Sequence, residues 1–307
     1  MMNGGLYEEL ARRYVIDPFE SEFDARVSLV PGTAAQILTR LMAERSDPAV
    51  DVVILDQMLA ARGIDEGLFE RIGASNIPNL ADLDGVALDP AGFGPIVHSH
   101  SLALGVNTEL LDVDPPTSWA DLWHPRFAGM VAPASIELTP GLLFLVQASL
   151  QNGGSYENMD PGFRAIRELA PNIRKFYRGL GEVRPLLNNE NIIAVVSTNV
   201  TQGEVDKGNP IGVIFPEEGS LASPAVAQVV KGTRVKELAE RFIDQYLRPE
   251  VQLQWAKSFY LTVFNKRVEI PEDLRSRIAS KIVFFDAVEI ARRREAWVDR
   301  WVREIRI

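Results

Sequence analysis

The chain has 307 residues, of which 46% are hydrophobic and 24% charged, with a net charge of -10 and no cysteine. Its size predicts two domains, and its acidic balance, with Lys and Arg dispersed among acids, speaks against a nucleic-acid partner, because neutralising phosphates needs a basic face. The missing thiols exclude disulfides, thiolate nucleophiles and cysteine-ligated metals.

No apolar run approaches the roughly 18 residues that a membrane span requires. The opening MMNGGLYEEL has neither the basic nor the apolar region of an export signal. Asn3-Gly4-Gly5 reads as a glycine turn entering a helix that runs towards Tyr14. Ala25 to Val30, ARVSLV, alternates apolar and polar residues and predicts a strand. Pro31-Gly32-Thr33 then leads into a helix from Ala34 to Arg45, with Thr33 and Gln36 as its capping box and Ile37, Leu38, Leu41 and Met42 on one face. Asp51 to Leu55, DVVIL, has the look of a buried parallel strand, and Asp56 follows at its carboxyl end, where ligands collect in open α/β sheets.

Gly63 to Asp84 is turn-rich, and Ile96 to Asn107 is extended. Ser118 with Asp121 caps a short helix that Pro125 stops, and Trp119 is expected to wedge that helix into place. Thr139 as N-cap and Pro140 at the first helical position open a strongly apolar helix that ends near Asn152-Gly153. A helix follows over Pro161 to Ala170, a buried strand over Asn191 to Ser197, and a helix over Val200 to Asp206. Ser197, Thr198 and Asn199 thus sit at a strand's carboxyl end, where a cleft is lined.

Ile211 to Gly232, IGVIFPEEGSLASPAVAQVVKG, reads as strand, turn and strand, the turn being Pro216 to Ser220. The carboxylate of Glu218 is expected to cap backbone amides there. Amphipathic helices follow from Val235 to Leu247 and to about Lys257, and a final helix from Ala287 packs Trp297, Trp301 and Ile305 on one face.

Catalytic motifs are missing: the sequence has no Gly-x-Ser-x-Gly elbow, no His-Glu-x-x-His, no Walker loop and no full Gly-x-Gly-x-x-Gly. His98 and His100 flank Ser99 and fall on one face of a strand; a partly exposed or hydrogen-bonded pair is the simpler reading than a metal site.

Several passages together resemble the spermidine/putrescine-binding group among the solute-binding proteins of bacterial ABC importers. They are TSWADLWHP from Thr117 to Pro125, Leu104-Gly105-Val106-Asn107, Pro216-Glu217-Glu218-Gly219, the helix pair VKELAERFIDQYLRPE, and Phe259 to Lys266. The resemblance implies an α/β fold of two lobes (the type II periplasmic-binding-protein architecture), each a mixed sheet flanked by helices, joined by a multi-strand hinge. Lobe 1 is expected over 1–104 and 225–275 and lobe 2 over 107–222 and 280–307, with hinges near 104–107, 220–225 and 265–280.

It also implies a protein that binds a small polar organic solute and delivers it to an ABC permease in the inner membrane. Such a protein is a periplasmic monomer whose export signal has been removed, with no catalysis, cofactor or metal. The alternative is a two-lobe cytoplasmic sensor or enzyme on the same architecture. The first strand of the family's pattern is missing. So are the tryptophan and aspartate that follow Glu-Gly in polyamine binders, replaced here by Ser223-Pro224-Ala225, so polyamine specificity does not carry over. Tyr7, Asp56, Ser197, Asn199, Ser223 and Tyr260 are the expected ligand-lining residues. An amine remains open through Asp56, Tyr7 and Glu137, and a carboxylate or phosphonate through the helix starts near Thr33 and Thr139.

Overall fold

The computed structural model describes residues 6–30 and 32–305, so the glycine turn expected at Asn3 to Gly5 lies outside the described residues. In chain order, the elements begin with a continuous helical run: α1 (Leu6–Ala11), a π-helical turn (Arg12–Ile16) and α2 (Asp17–Phe23). Next come α3 (Ala34–Ala43), β1 (Val52–Asp56), α4 (Gln57–Asp65) and β2 (Ile96–Asn107). They are followed by β3 (Val131–Ala132), α5 (Thr139–Gln151), α6 (Asp160–Leu169), α7 (Leu180–Asn189), β4 (Ile193–Ser197) and α8 (Thr198–Val205). Completing the chain are β5 (Ile211–Ile214), β6 (Ser220–Val229), α9 (Lys236–Leu247), α10 (Pro249–Phe259), α11 (Glu272–Arg275), β7 (Ile282–Val283) and α12 (Ala287–Glu304).

The chain divides into two units, the first comprising residues 1–99 and 224–271 and the second residues 100–223 and 272–307. It passes from one to the other inside β2, inside β6 and just ahead of α11.

In the first unit the strand order is β1-β6-β2. β1 runs antiparallel to β6, with Val53 opposite Gln228 and Leu55 opposite Val226. This corrects the parallel reading of DVVIL: only alternate residues, Val53 and Leu55, are fully buried. The long return from β1 to β6 permits antiparallel pairing as readily as a crossover would permit the parallel kind. α3 forms as its capping box dictates. The Gln36 amide donates to the Thr33 hydroxyl at 3.3 Å and the Thr33 amide to the Gln36 side chain at 2.9 Å.

Ala25 to Val30, in contrast, is not a strand. Its alternation is real, Arg26 and Ser28 being exposed while Ala25, Val27 and Leu29 are half-buried. It has no ladder partner among the described residues.

α9 is anchored by two buried acids, which accept from the loop over 73–79. Glu240 takes the Gly73 amide at 2.9 Å and the Asn76 side chain at 2.7 Å, and Asp244 takes the Asn79 amide at 2.8 Å and its side chain at 3.0 Å.

In the second unit β4 lies between β2 and β3, antiparallel to β2 and parallel to β3, and β5 pairs with the other edge of β2. β4 is buried on both faces apart from Ser197, as a central strand requires. α5 is apolar nearly all round and buried from Gly141 to Ser149. It begins one residue earlier than expected: Leu138 is the N-cap, and Thr139 and Pro140 fill the first two helical positions. α7 was not anticipated, since Pro185 within it and the glycines at 179 and 181 all argue against a helix.

Trp119 is fully buried and its indole donates to the Gly219 carbonyl at 2.8 Å. Glu218 accepts the Trp119 amide at 3.2 Å and the Gln151 side chain at 3.1 Å. The Pro-x-x-Gly turn is therefore tied to the TSWADLW helix, with Gly219 at φ +112°, a backbone conformation that favours glycine. Trp301 packs edge-on to Phe176, as the aromatic stripe of α12 predicted.

Candidate functional site

Three of the expected residues fall in the first unit. Asp56 ends β1 and caps α4, its carboxylate accepting the Leu59 amide at 3.1 Å, and it stays half-buried. Tyr7 lies in α1, stacked on Phe259 with ring centroids 3.8 Å apart and on Trp255 at 5.7 Å. Burial raises its phenol above the usual range, so its side chain stays a neutral hydroxyl.

Tyr260 ends α10 in the left-handed region, φ 56°, where glycine or asparagine is usual. A tyrosine held there costs on the order of 1 kcal/mol of backbone strain, a feature that clusters at ligand sites. It is 6% exposed. The aromatic group continues through Trp255 to Tyr246, whose ring is 5.1 Å away, and His98, whose Nδ1 lies 3.3 Å from the Tyr246 hydroxyl. His98 is thus part of a packed aromatic layer.

The other three fall in the second unit. Ser197 is the last residue of β4 and the N-cap of α8, yet its side chain makes no capping bond, and it is half-buried. Thr198 and Asn199 belong to the first turn of α8, which starts two residues earlier than the helix expected from Val200. The buried Thr201 hydroxyl closes that turn by donating to the Thr198 carbonyl at 2.9 Å. Ser223 is half-buried in β6, on the residue before the chain leaves this unit.

Sequence reasoning set His100 beside His98 and missed its actual partner. β2 pairs with β4 in the register Leu102 opposite Ser197, which brings His100, two residues earlier, to the start of α8. There it forms a hydrogen bond with the Asn199 side chain. Burial lowers the imidazole pKa to about 4, a shift that the Asn199 bond only partly opposes. The ring is neutral at physiological pH, with one nitrogen a donor and the other an acceptor. His100, Ser197, Asn199 and the first amides of α8 together form a set of neutral polar groups at a helix amino end, suited to an anionic oxygen.

Glu137 is exposed and committed elsewhere. Its carboxylate accepts from the Ser135 hydroxyl, which holds its pKa below the usual range, and its carbonyl accepts from Arg294 at 2.7 Å. Thr33 serves its capping box and Thr139 no cap at all. Among the described residues no three His, Cys, Asp or Glu side chains are grouped to hold a metal ion, and no helix is long and apolar enough to cross a membrane.

Comparison with known proteins adds the following. Residues 47–287 match the family model described as bacterial extracellular solute-binding protein. The chain is 25% identical over 255 residues to the spermidine/putrescine-binding periplasmic protein of Escherichia coli K12, covering 80% of this chain and 72% of that protein. It is also 25% identical over 260 residues to the gamma-aminobutyric acid-binding protein of Pseudomonas aeruginosa, covering 81% and 71%. Among solved structures it resembles an ABC transporter protein from Clostridium perfringens, with a TM-score of 0.89, 25% identity and 99% of each chain covered.

Proposed function

Because this chain belongs to the bacterial extracellular solute-binding protein family and so binds a solute for an ABC importer, we propose that its solute is a small ω-amino acid or aminophosphonate. It would be captured in the periplasm and released unaltered to an inner-membrane permease. The observation behind this reading is the group at the start of α8: uncharged donors from His100, Ser197, Asn199 and backbone amides suit a carboxylate or phosphonate. Asp56 supplies the counter-charge for an ammonium group, with Tyr7 and Tyr260 as aromatic and hydroxyl neighbours and Ser223 as a further polar contact.

Relatives support the chemistry. One binds gamma-aminobutyric acid, and another, 26% identical over 246 residues, is named a 2-aminoethylphosphonate-binding periplasmic protein of Salmonella paratyphi A. The polyamine relatives share the ammonium half of such a solute, but the aromatic and acidic residues after Glu-Gly are replaced here by Ser223-Pro224-Ala225.

The mechanism is closure. A solute shifts a two-state equilibrium only by its difference in affinity for the two states, and this reading assigns its ammonium end to Asp56 and its anionic end to the start of α8. The proposed hinge is where the chain changes units, in β2, in β6 and near residue 271, and the proposed working form is the monomer. A thermal-shift panel tests the reading. Gamma-aminobutyric acid and 2-aminoethylphosphonate should raise the melting temperature saturably, and Asp56→Asn should remove the shift. Equal stabilisation by putrescine, or none by either amphoteric compound, contradicts it.

A further inference from the structure

Within the first unit, the loop over 260–266 returns the chain from α10 to the first residues of β2. Tyr260 makes the turn in the left-handed region, its amide donating to the Ala256 carbonyl at 2.9 Å. Thr262 then exchanges backbone hydrogen bonds with Ser99 in both directions, at 2.8 and 3.0 Å. A tyrosine keeps such a strained backbone only where the surrounding structure over-determines it.

Gln252, fully buried on α10, supplies much of that constraint. Its Oε1 accepts the Phe264 amide at 3.3 Å, while its Nε2 donates to the Val97 carbonyl at 2.7 Å and to the Tyr246 carbonyl at 3.2 Å. One carboxamide thus joins the loop to the beginning of β2 and to the last turn of α9. That turn needs such donors: Arg248 turns extended ahead of Pro249, with ψ 140°, which leaves the final carbonyls of α9 without helical partners. Asn265 serves the next carbonyl, its Nδ2 donating to Leu247 at 2.9 Å, and its Oδ1 accepts the Arg267 amide at 2.9 Å. A carboxamide carries donor and acceptor at one planar end, whereas a glutamate at 252 could accept from Phe264 but not donate to Val97.

We propose that Gln252 is a positioning residue for the solute site, acting through Tyr260 and not on the solute itself. By holding the 260–266 loop at both its neighbours, it keeps Tyr260 in the left-handed conformation and its ring and hydroxyl at a fixed place. The inference rests on the assignment of Tyr260 as a solute neighbour made above. Gln252→Met keeps the length of the side chain but leaves the Phe264 amide and the Val97 and Tyr246 carbonyls without their buried partner, so the loop relaxes and Tyr260 leaves its strained backbone.

The test compares the parent chain with Gln252→Met, Tyr260→Ala and the double variant, at a temperature where all are folded. Calorimetry with gamma-aminobutyric acid and 2-aminoethylphosphonate reads affinity, and backbone carbon shifts in NMR read the left-handed conformation of Tyr260. Gln252→Met should lose the left-handed shift and weaken solute binding about tenfold. It should cost nothing further in the Tyr260→Ala background, the non-additivity expected of two residues acting as one. Trp119→Phe, which destabilises the second unit, should keep both the Tyr260 shift and the affinity, so that lost stability alone does not account for the effect. A left-handed shift retained in Gln252→Met, an affinity unchanged by it, or additive losses in the double variant overturns the proposal. Binding of neither compound by the parent chain counts against the solute reading itself; the Tyr260 shift in Gln252→Met then still decides whether Gln252 positions the loop, and its retention overturns that role.

Discussion

His100 is the residue whose chemistry is most exposed to a simple test. Its folded pKa of about 4 lies below the ordinary value of 6.5, so over that window the unfolded chain binds a proton that the folded chain refuses. The sign follows: the stability present above pH 6.5 is lost as pH falls towards 4, by on the order of 2 kcal/mol for a ring that keeps some exposure. Urea unfolding at pH 7 and pH 4.5 should show a smaller acid loss for His100→Gln than for the parent chain, and identical losses would contradict the assignment.

Trp119 gives a second test at this scale. Trp119→Phe removes the indole donor from the Gly219 carbonyl and leaves a void, and is expected to cost about 2 to 4 kcal/mol in denaturant unfolding with no change in solute affinity. The wedge role of Trp119 and the capping role of Glu218 could be read from the sequence, because both depend on local turn chemistry. The pairing of His100 with Asn199 could not, since it depends on the register of β2 against β4, a relation across nearly a hundred residues.

At the scale of elements, α9 illustrates how a helix with an unremarkable amphipathic pattern is fixed in place. Glu240 is 3% exposed and accepts two hydrogen bonds from the 73–79 loop, with Lys236 3.9 Å away as the nearest cation. Glu240→Ala leaves the Gly73 amide and the Asn76 side chain without their acceptor, and should lower unfolding free energy by about 2 to 4 kcal/mol and speed exchange at Gly73. An exchange rate unchanged at Gly73 would show that the loop is held by other means.

Elements with strong local signals formed where the sequence placed them: α3 with its capping box, β4 with its apolar run, and α9 and α10 with their amphipathic faces. The failures have physical causes. Ala25 to Val30 has the pattern of a strand, but pattern alone supplies no partner backbone. α7 forms despite Pro185 because Val183 and Leu187 are buried in the second unit's core, a tertiary gain that overrides local preference. Thr139 follows the preference of prolines for the first helical turn, displaced by one residue.

For the whole molecule, the two-part organisation followed from length and from the resemblance carried by TSWADLWHP and the Pro-Glu-Glu-Gly turn. The ligand did not, because its identity depends on a few side chains gathered from distant parts of the chain. Asp56, Ser197 and Asn199 were expected, and are proposed, as ligand residues because ligands gather at the carboxyl ends of strands.

The central claim is that this protein holds a small amphoteric solute and leaves it unchanged. Isothermal titration calorimetry with gamma-aminobutyric acid and 2-aminoethylphosphonate, followed by NMR of the recovered solute, tests it most directly. The account predicts a saturable one-to-one heat for at least one of them, its loss in Asp56→Asn, and a solute spectrum identical before and after. No saturable heat with either compound, or a new product in the spectrum, would contradict it.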